Sequence, residues 1–382
     1  MVMTKFSEEN NIKLDNNNSH VLNLLSSSII EIQNHIHKRY QDEKHRKRIK
    51  EFFNFNNMNL ISKLNQLIMN ADLIKEINDI YLYNIFHKWR STGILSLIIF
   101  KYQIFDKVYD MLADEFSRKV FDWLICYNIG YSFLGNNTNE VFPHSAIGSE
   151  NIKNNTYSPK KKGVLYEIES YLIYSEEKLI QETWQENLYC LTGKCEPQLG
   201  DTVISGGACF GETSIWFADK VGQNGRVYAF EPSKHNCTRV EENIKRNRLE
   251  SIIRINNYGL WDKETKLFFN SVDSNGPGSF CSDNQGEYAI NAVSIDGFLE
   301  KEGLAKIDFI KLDVEGAELK TMEGARNVIT NYKPNLAISL YHLPSDILEI
   351  PILIKSLVPE YNIYLSHKMN RLGQTVLFAS MK

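Results

Sequence analysis

The sequence predicts an α/β protein in which a helical N-terminal domain precedes a mostly parallel sheet that ends in an antiparallel hairpin. Apolar residues recur every three or four positions from residue 21 to about residue 134, which is typical of helices. From residue 202 onward, β-type and helix-type segments alternate as in βαβ units. The last two β-type segments, 361–366 and 375–380, are separated by eight residues, too few for a parallel crossover.

Composition and charge exclude several classes of protein. A length of 382 residues with 43% hydrophobic residues indicates two or three domains with a sizeable core. A net charge of −4 gives no basic surface for nucleic acid, and the longest apolar run, 93–100, is too short to span a membrane. Six cysteines without metal-type spacing and an N-terminus without a signal-peptide pattern favour the cytoplasm.

The residue composition of the N-terminal part of the chain changes twice. Residues 1–20 are polar and predict a disordered head, and residues 21–150 predict a helical domain whose clearest helix covers 114–124. Residues 135–163 are rich in Asn, Ser, Pro and Lys, which is typical of a linker. We expect a second domain from 164 to 382, beginning with mixed helix at 166–189. The helical domain is a candidate surface for a homo-oligomer.

A glycine-rich turn follows the first strand of the second domain. The strand at 202–205 runs into Gly206, Gly207 and Gly211, and a helix is predicted at 212–221. Glycine allows positive φ and close backbone approach, and a helix start directs free N–H groups at a ligand. Such turns also occur in proteins that bind nothing there, so the turn alone is weak evidence.

A carboxylate strengthens this interpretation. The next strand, 227–231, ends in Glu231, about twenty residues after the last glycine, where an acid can hold the hydroxyls of a ribose. The glycine turn and Glu231 together predict a nucleoside site.

The remaining elements complete the sheet. We expect helices at 233–247, 317–331 and 345–357, strands at 252–256, 309–314 and 336–341, and a hairpin or flap at 266–293. A sheet with this antiparallel ending differs from that of a dinucleotide-binding dehydrogenase, which stays parallel.

Residues from about 189 to the end resemble the FkbM family of class I methyltransferases. The similarity rests on four motifs in order, each at the carboxyl end of a strand: residues 200–213, Phe-Glu-Pro at 230–232, Ile-Lys-Leu-Asp-Val-Glu-Gly-Ala-Glu at 310–318, and Leu-Tyr-His at 340–342. The resemblance implies a Rossmann-like sheet, S-adenosylmethionine as cofactor, and methylation of a hydroxyl group on a sugar, glycan or secondary metabolite. The helix at 114–124 resembles one often found upstream in this family.

The resemblance also implies which residues bind the cofactor. Backbone groups at Gly206, Gly207 and Gly211 would reach its methionine portion, Glu231 its ribose, and Gly259 with Leu260 its adenine. Ser205 and Thr213 complete the expected set. Trp261 is a candidate for stacking on adenine and equally a candidate for the core.

Ser205 departs from the family, which usually has Asp at this position. Serine can form hydrogen bonds but brings no charge to the methionine end of the cofactor. Glu212 is a neighbouring acid that could compensate. The departure leaves a second hypothesis open, a catalytically weakened cofactor-binding or scaffold protein of the same fold.

Three residues predict the chemistry. Asp313 and Glu315 project to one side of an extended segment, and His342 follows the 336–341 strand on the same edge of the sheet. We interpret His342, with a near-neutral pKa, as the general base for an acceptor hydroxyl, oriented by Asp313. A metal ion held by Asp313, Glu315 and His342 is the competing hypothesis. Helix capping is the structural alternative for Glu315 and Glu318.

Overall fold

The computed structural model describes residues 19–39, 85–147, 160–270, 280–282, 288–368 and 372–382. The chain divides into two compact units, one formed by Met1–Lys107 with Leu124–Phe142 and the other by Val108–Trp123 with Pro143–Lys382. Residues 1–18 of the predicted disordered head lie outside the described residues. The domain boundaries and the homo-oligomer stay predictions.

The first unit is helical, as predicted. Its described helices are α1 (His20–Arg39), most of α2 (Ile85–Met111) and the second half of α3 (Glu115–Leu134). Apolar residues at helical spacing, among them Val21, Leu25, Ile29 and Ile98, are buried. The helix predicted at 114–124 therefore exists and continues to Leu134. None of the described helices is long and apolar enough to cross a bilayer.

A small antiparallel sheet lies in the second unit at 160–174, partly where mixed helix was expected from residue 166. Strands β1 (Lys160–Lys162), β2 (Leu165–Ile168) and β3 (Tyr171–Tyr174) lie in that order. Only then do a short helix, α4 (Glu177–Ile180), and a π-helical turn at Gln181–Gln185 follow. The expectation was wrong for 166–174 and is confirmed at 177–185. In the first part burial alternates along β2, and the side chains of Asn243 and Asn247 bond the backbone of β3.

A seven-stranded sheet forms the centre of the second unit. Its order is β13-β14-β12-β11-β4-β5-β6, with parallel pairing from β12 to β6. Strand β14 is antiparallel to both neighbours, which confirms the predicted ending. The strands are β4 (Thr202–Gly206), β5 (Arg226–Phe230), β6 (Ile253–Asn256), β11 (Phe309–Leu312), β12 (Asn335–Ser339), β13 (Asn362–His367) and β14 (Thr375–Ser380).

A second sheet occupies the predicted flap region. Its strands are β7 (Gly259–Leu260), β8 (Thr265–Asn270), β9 (Phe280–Ser282) and β10 (Tyr288–Val293), in the order β7-β10-β8-β9. Strands β8 and β10 pair antiparallel, as a hairpin requires. The Asn-Gly-Pro-Gly segment at 275–278 lies outside the described residues.

The helices of the second unit follow the predictions with two differences. They are α5 (Glu212–Val221), α6 (Lys234–Arg246), α7 (Ile295–Glu302), α8 (Glu318–Glu323), α9 (Arg326–Tyr332) and α10 (Asp346–Leu357). Helix α7, which begins after the N-cap Ser294, was not predicted. The single helix expected at 317–331 is divided, because the Gly324 carbonyl accepts the Asp296 amide and the Asp296 side chain caps α9.

Candidate active site

A pocket opens at the carboxyl ends of β4, β5 and β11. Five carboxylates and one lysine line it among the described residues: Glu182, Glu212, Glu231, Asp313, Glu315 and Lys311. The turn after β4, the end of β5 and the start of β7 form much of the remaining wall. In a parallel sheet this edge is where ligands bind, so the topology and the pocket agree.

The glycine turn fits tightly against β11. Gly207 has φ +73°, and an added Cβ would lie 1.9 Å from the Asp313 carbonyl oxygen. Its amide and that of Ala208 both donate to the Phe230 carbonyl at 3.0 Å. Gly211, with φ +90°, precedes α5. Only glycine permits this approach at position 207, so the turn brings backbone to the pocket.

Glu231 is buried and closes the turn from the β5 side. Its carboxylate accepts the Cys209 amide at 2.9 Å on one oxygen and the Ser233 amide at 2.9 Å on the other. Burial raises the pKa of Glu231 to about 7, although these hydrogen bonds oppose the rise. Oε1 also accepts the Asn236 side-chain amide at 3.4 Å, whereas Oε2 keeps a lone pair for a further donor. The carboxylate is therefore fixed in place and can still receive a hydroxyl group.

Lys311 is a buried cation at the base of the pocket. Its ammonium donates to the carbonyls of Gly206 and Gly207, each at 2.9 Å, and lies 4.8 Å from the centre of the Tyr189 ring. These bonds join β11 to the glycine turn. The ammonium also stabilises the ionised carboxylates around it.

Asp313 is held by two tyrosines. The Tyr341 hydroxyl donates to one carboxylate oxygen at 2.6 Å, and the Tyr189 hydroxyl to the other at 2.7 Å. Burial alone would raise the pKa of Asp313, but the charges of Lys311 and His342 with these hydrogen bonds lower it to about 2. Asp313 is thus a fixed anion in the pocket wall.

His342 is buried among three carboxylates behind this wall. Its Nδ1 lies 2.8 Å from Glu318, and its Nε2 lies 3.3 Å from Glu315 and 3.6 Å from Asp313. Burial alone would lower the pKa of His342, but Glu318 and Glu315 raise it well above 6.5. The pKa of His342 is therefore raised above the near-neutral value expected from the sequence, because the carboxylates favour its protonated form.

Glu318 bonds the turn before α8, and α8 itself has no side-chain cap at its N-terminus. Its carboxylate accepts the amides of Val314 at 2.7 Å and Gly316 at 3.0 Å, within the turn that precedes α8. Glu315, in the same turn, has φ +55° and extends to the pocket. Glu318 therefore orders the turn and holds His342, while Glu315 contributes to the pocket.

The same side chains form a potential metal centre. Asp313, Glu318 and His342 each present a ligand atom within 4.8 Å of the others. A histidine that binds metal through one nitrogen commonly donates its other N–H to a carboxylate, as Nδ1 can to Glu318. The Nε2 side, which faces Asp313 and Glu315, corresponds to the ligand set expected from the sequence.

The structure brings most of the predicted site residues together. Gly207, Thr213, Glu231, Gly259, Leu260, Asp313 and Glu315 all line the pocket. Ser205, Gly206, Gly211 and His342 are not among the described lining residues. Ser205 is fully buried, and its hydroxyl lies 3.4 Å from that of Ser214. Trp261 packs against Leu267, Ile290 and Ala292, so its core interpretation is the one realised.

Several lining residues were missed. Leu179, Glu182 and Thr183 come from the turn at 177–185, and Tyr189 from the segment after it. Nothing in their spacing identifies them, since they reach the pocket only through the tertiary fold. Lys311 did leave a signal, because it is the one charged residue in the apolar strand β11.

The seven-stranded sheet with its antiparallel ending has the fold of the class I methyltransferases. Residues 205–362 match the family model of the Methyltransferase FkbM domain. This part of the chain is therefore similar to the FkbM methyltransferase domain.

Two known proteins are similar to the chain in sequence or in structure. The hexuronic acid methyltransferase AglP of Haloferax volcanii is 28% identical over 103 residues, which cover 27% of this chain and 42% of that protein. The crystal structure of an FkbM methyltransferase from Methylobacillus flagellatus KT superimposes with a TM-score of 0.51 at 19% identity. That match covers 74% of this chain and 60% of the other, so the chain spans less than two thirds of either relative.

Proposed function

We propose that this protein uses S-adenosylmethionine to methylate a hydroxyl group of a sugar, glycan or secondary metabolite. The observation that carries the proposal is the pocket beside the glycine turn, with Glu231 fixed at the end of β5. The hexuronic acid methyltransferase among the relatives supports a sugar-type acceptor.

The residues present fit the cofactor. Glu231 would accept the ribose hydroxyls, and Gly259 with Leu260 would flank the adenine. The backbone at Gly207 and the Thr213 side chain would face the methionine portion, with Gly206 and Gly211 shaping the turn. When bound, S-adenosylmethionine supplies an electrophilic methyl group on a positively charged sulfur.

The chain's own contribution to the reaction is alignment. Asp313 is a fixed anion that can accept a hydrogen bond from an acceptor hydroxyl, and Glu315 lies beside it. An oriented acceptor accelerates a displacement without covalent help from the protein. Because His342 contacts both carboxylates and they raise its pKa, we assign it a positioning role toward Asp313 and Glu315 rather than that of general base.

Ser205 does not weaken this proposal. Its side chain is buried and is not among the described lining residues, and five carboxylates do line the pocket. These carboxylates support cofactor binding in the absence of an acid at position 205.

Calorimetric titration with S-adenosylmethionine, followed by assays of labelled methyl transfer to a panel of neutral and acidic sugars, tests the function. We expect binding and transfer to a hydroxyl. Binding without transfer to any acceptor in the panel would favour the scaffold hypothesis, and absence of binding would refute the proposal.

A further inference from the structure

Glu212 is a buried pocket carboxylate without a salt bridge among the described residues. It is the first residue of α5 and is 3% exposed. Its carboxylate accepts the Ser175 hydroxyl at 3.4 Å and its own backbone amide. By contrast, the backbone holds Glu231 and two tyrosines hold Asp313.

Glu182 also lines the pocket, but a side-chain amide and a lysine already stabilise its negative charge. Its carboxylate accepts the side-chain amide of Gln374 and lies 3.7 Å from the Lys178 ammonium. Glu315 lies 3.3 Å from His342. Glu212 has no cation within salt-bridge distance among the described residues, and Lys311 acts on it only as a more distant charge.

A buried carboxylate without a cation is unfavourable, because ionisation in a low-dielectric site is costly. Burial raises the pKa of Glu212 to about 7. A ligand that placed a positive group against this carboxylate would offset the cost. The pocket therefore selects for a cation beside the start of α5.

The position of Glu212 also bears on Ser205. Ser205 contacts Ser214, which lies two residues after Glu212 on α5. Where an acid is expected at the end of β4, this chain has a neutral residue, and a carboxylate stands at the start of the helix that follows.

We propose that Glu212 binds the cationic amino group at the methionine end of the donor, in place of the acid expected at position 205. This inference rests on the proposed function. The recognised chemistry is a primary ammonium of an amino acid, so Glu212 distinguishes ligands that carry this group from those that lack it.

Three ligands test the assignment. S-adenosylmethionine and S-adenosylhomocysteine carry the amino-acid group, whereas 5′-methylthioadenosine shares the nucleoside and lacks it. We expect Glu212→Gln to weaken the first two by about tenfold to a hundredfold, the range for a hydrogen bond to a charged group. Its affinity for 5′-methylthioadenosine should stay within about twofold of the wild type.

The exposed Glu241→Gln on α6 is the control and should leave all three affinities unchanged. The Gln side chain preserves the shape of Glu212, and circular dichroism with a melting curve checks the fold. Should Glu212→Gln fail to fold, Glu212→Asp replaces it, because Asp keeps the charge on a shorter side chain. We expect Glu212→Asp to lose part of the affinity for S-adenosylmethionine and S-adenosylhomocysteine and none of the affinity for 5′-methylthioadenosine.

Two outcomes overturn the inference. Equal weakening of all three ligands would make Glu212 a structural residue, and unchanged affinity for all three would remove its role altogether. Failure of the wild type to bind any of them would instead refute the proposed function, so the two failures are distinguishable.

Discussion

Glu231 combines ligand binding with support of the glycine turn, and two substitutions separate these roles. Glu231→Gln keeps an acceptor for the backbone but removes the charge, so we expect weaker donor binding with little loss of stability. Glu231→Ala leaves the Cys209 and Ser233 amides without this acceptor. Each unsatisfied buried group costs about 1–3 kcal/mol. Calorimetry and urea unfolding of both variants measure the two effects.

Equal affinity of wild type and Glu231→Gln for the donor would show that the carboxylate does not receive the ribose. Equal stability of the Ala and Gln variants would show that the two amides do not depend on it.

His342 should stabilise the fold in a pH-dependent manner. Its pKa is raised above 6.5, so its contribution is complete below that pH and is lost as pH rises through the folded value. We expect His342→Gln to cost about 3–5 kcal/mol in mildly acidic solution, since it removes the cation from a buried cluster. Urea unfolding at increasing pH, with EDTA present, should show this cost shrinking. A constant difference would contradict a charged His342.

The same residue distinguishes the possible mechanisms. In a positioning role, His342→Gln lowers turnover without removing a limb near pH 6.5 from the pH–rate profile. Loss of such a limb, with a fall of about a hundred- to ten-thousandfold, would restore the general-base hypothesis. Loss of activity in EDTA, recovered with a divalent cation, would make His342 a metal ligand.

At the scale of elements, the ends of β4 and β11 meet at one glycine. Gly207→Ala would place a Cβ 1.9 Å from the Asp313 carbonyl oxygen, whereas Gly200→Ala, at φ +86°, has no atom within 4 Å. Positive φ costs either alanine about 1–2 kcal/mol. We expect Gly207→Ala to lose roughly 1–3 kcal/mol more from the clash and to bind the donor weakly. Similar unfolding free energies for the two variants would mean that the ends of β4 and β11 move apart at little cost and relieve the clash.

Elements with strong local patterns were predictable, and those set by distant contacts were not. Helix α5 has its predicted bounds, because the Gly211 turn and the apolar face define both ends. The break between α8 and α9 depends on Asp296, some thirty residues earlier in the chain. The π-helical turn at Gln181–Gln185 likewise has no marker in its sequence.

At the scale of the whole molecule, two buried acids should couple stability to pH. The pKa values of Glu212 and Glu231 are raised from 4.5 to about 7, so their stabilising contribution is present below 4.5 and lost as pH rises through 7. We expect the free energy of unfolding of the free protein to fall across this window. Urea unfolding of the wild type and of the doubly substituted Glu212→Gln, Glu231→Gln protein tests this. A similar slope in both would assign the effect to other groups.

Site residues that belong to sequence motifs at strand ends could be predicted from the sequence. Glu231, Asp313 and Gly207 could be placed from strand ends and glycine spacing, because parallel strands bring their carboxyl ends to one edge. The charge state of His342 could not, since it depends on three carboxylates that only the fold assembles. The tyrosines on Asp313 come from opposite ends of the domain sequence.

The excess of carboxylates around Lys311 bears on turnover as well as on binding. Methyl transfer changes a positively charged sulfonium into a neutral thioether, so the donor gives up one unit of positive charge. An acidic wall therefore favours the unreacted donor over the spent one. Under the proposed function, the pocket would resist product inhibition, and the same electrostatic arrangement that captures the donor would help to empty the site after each cycle.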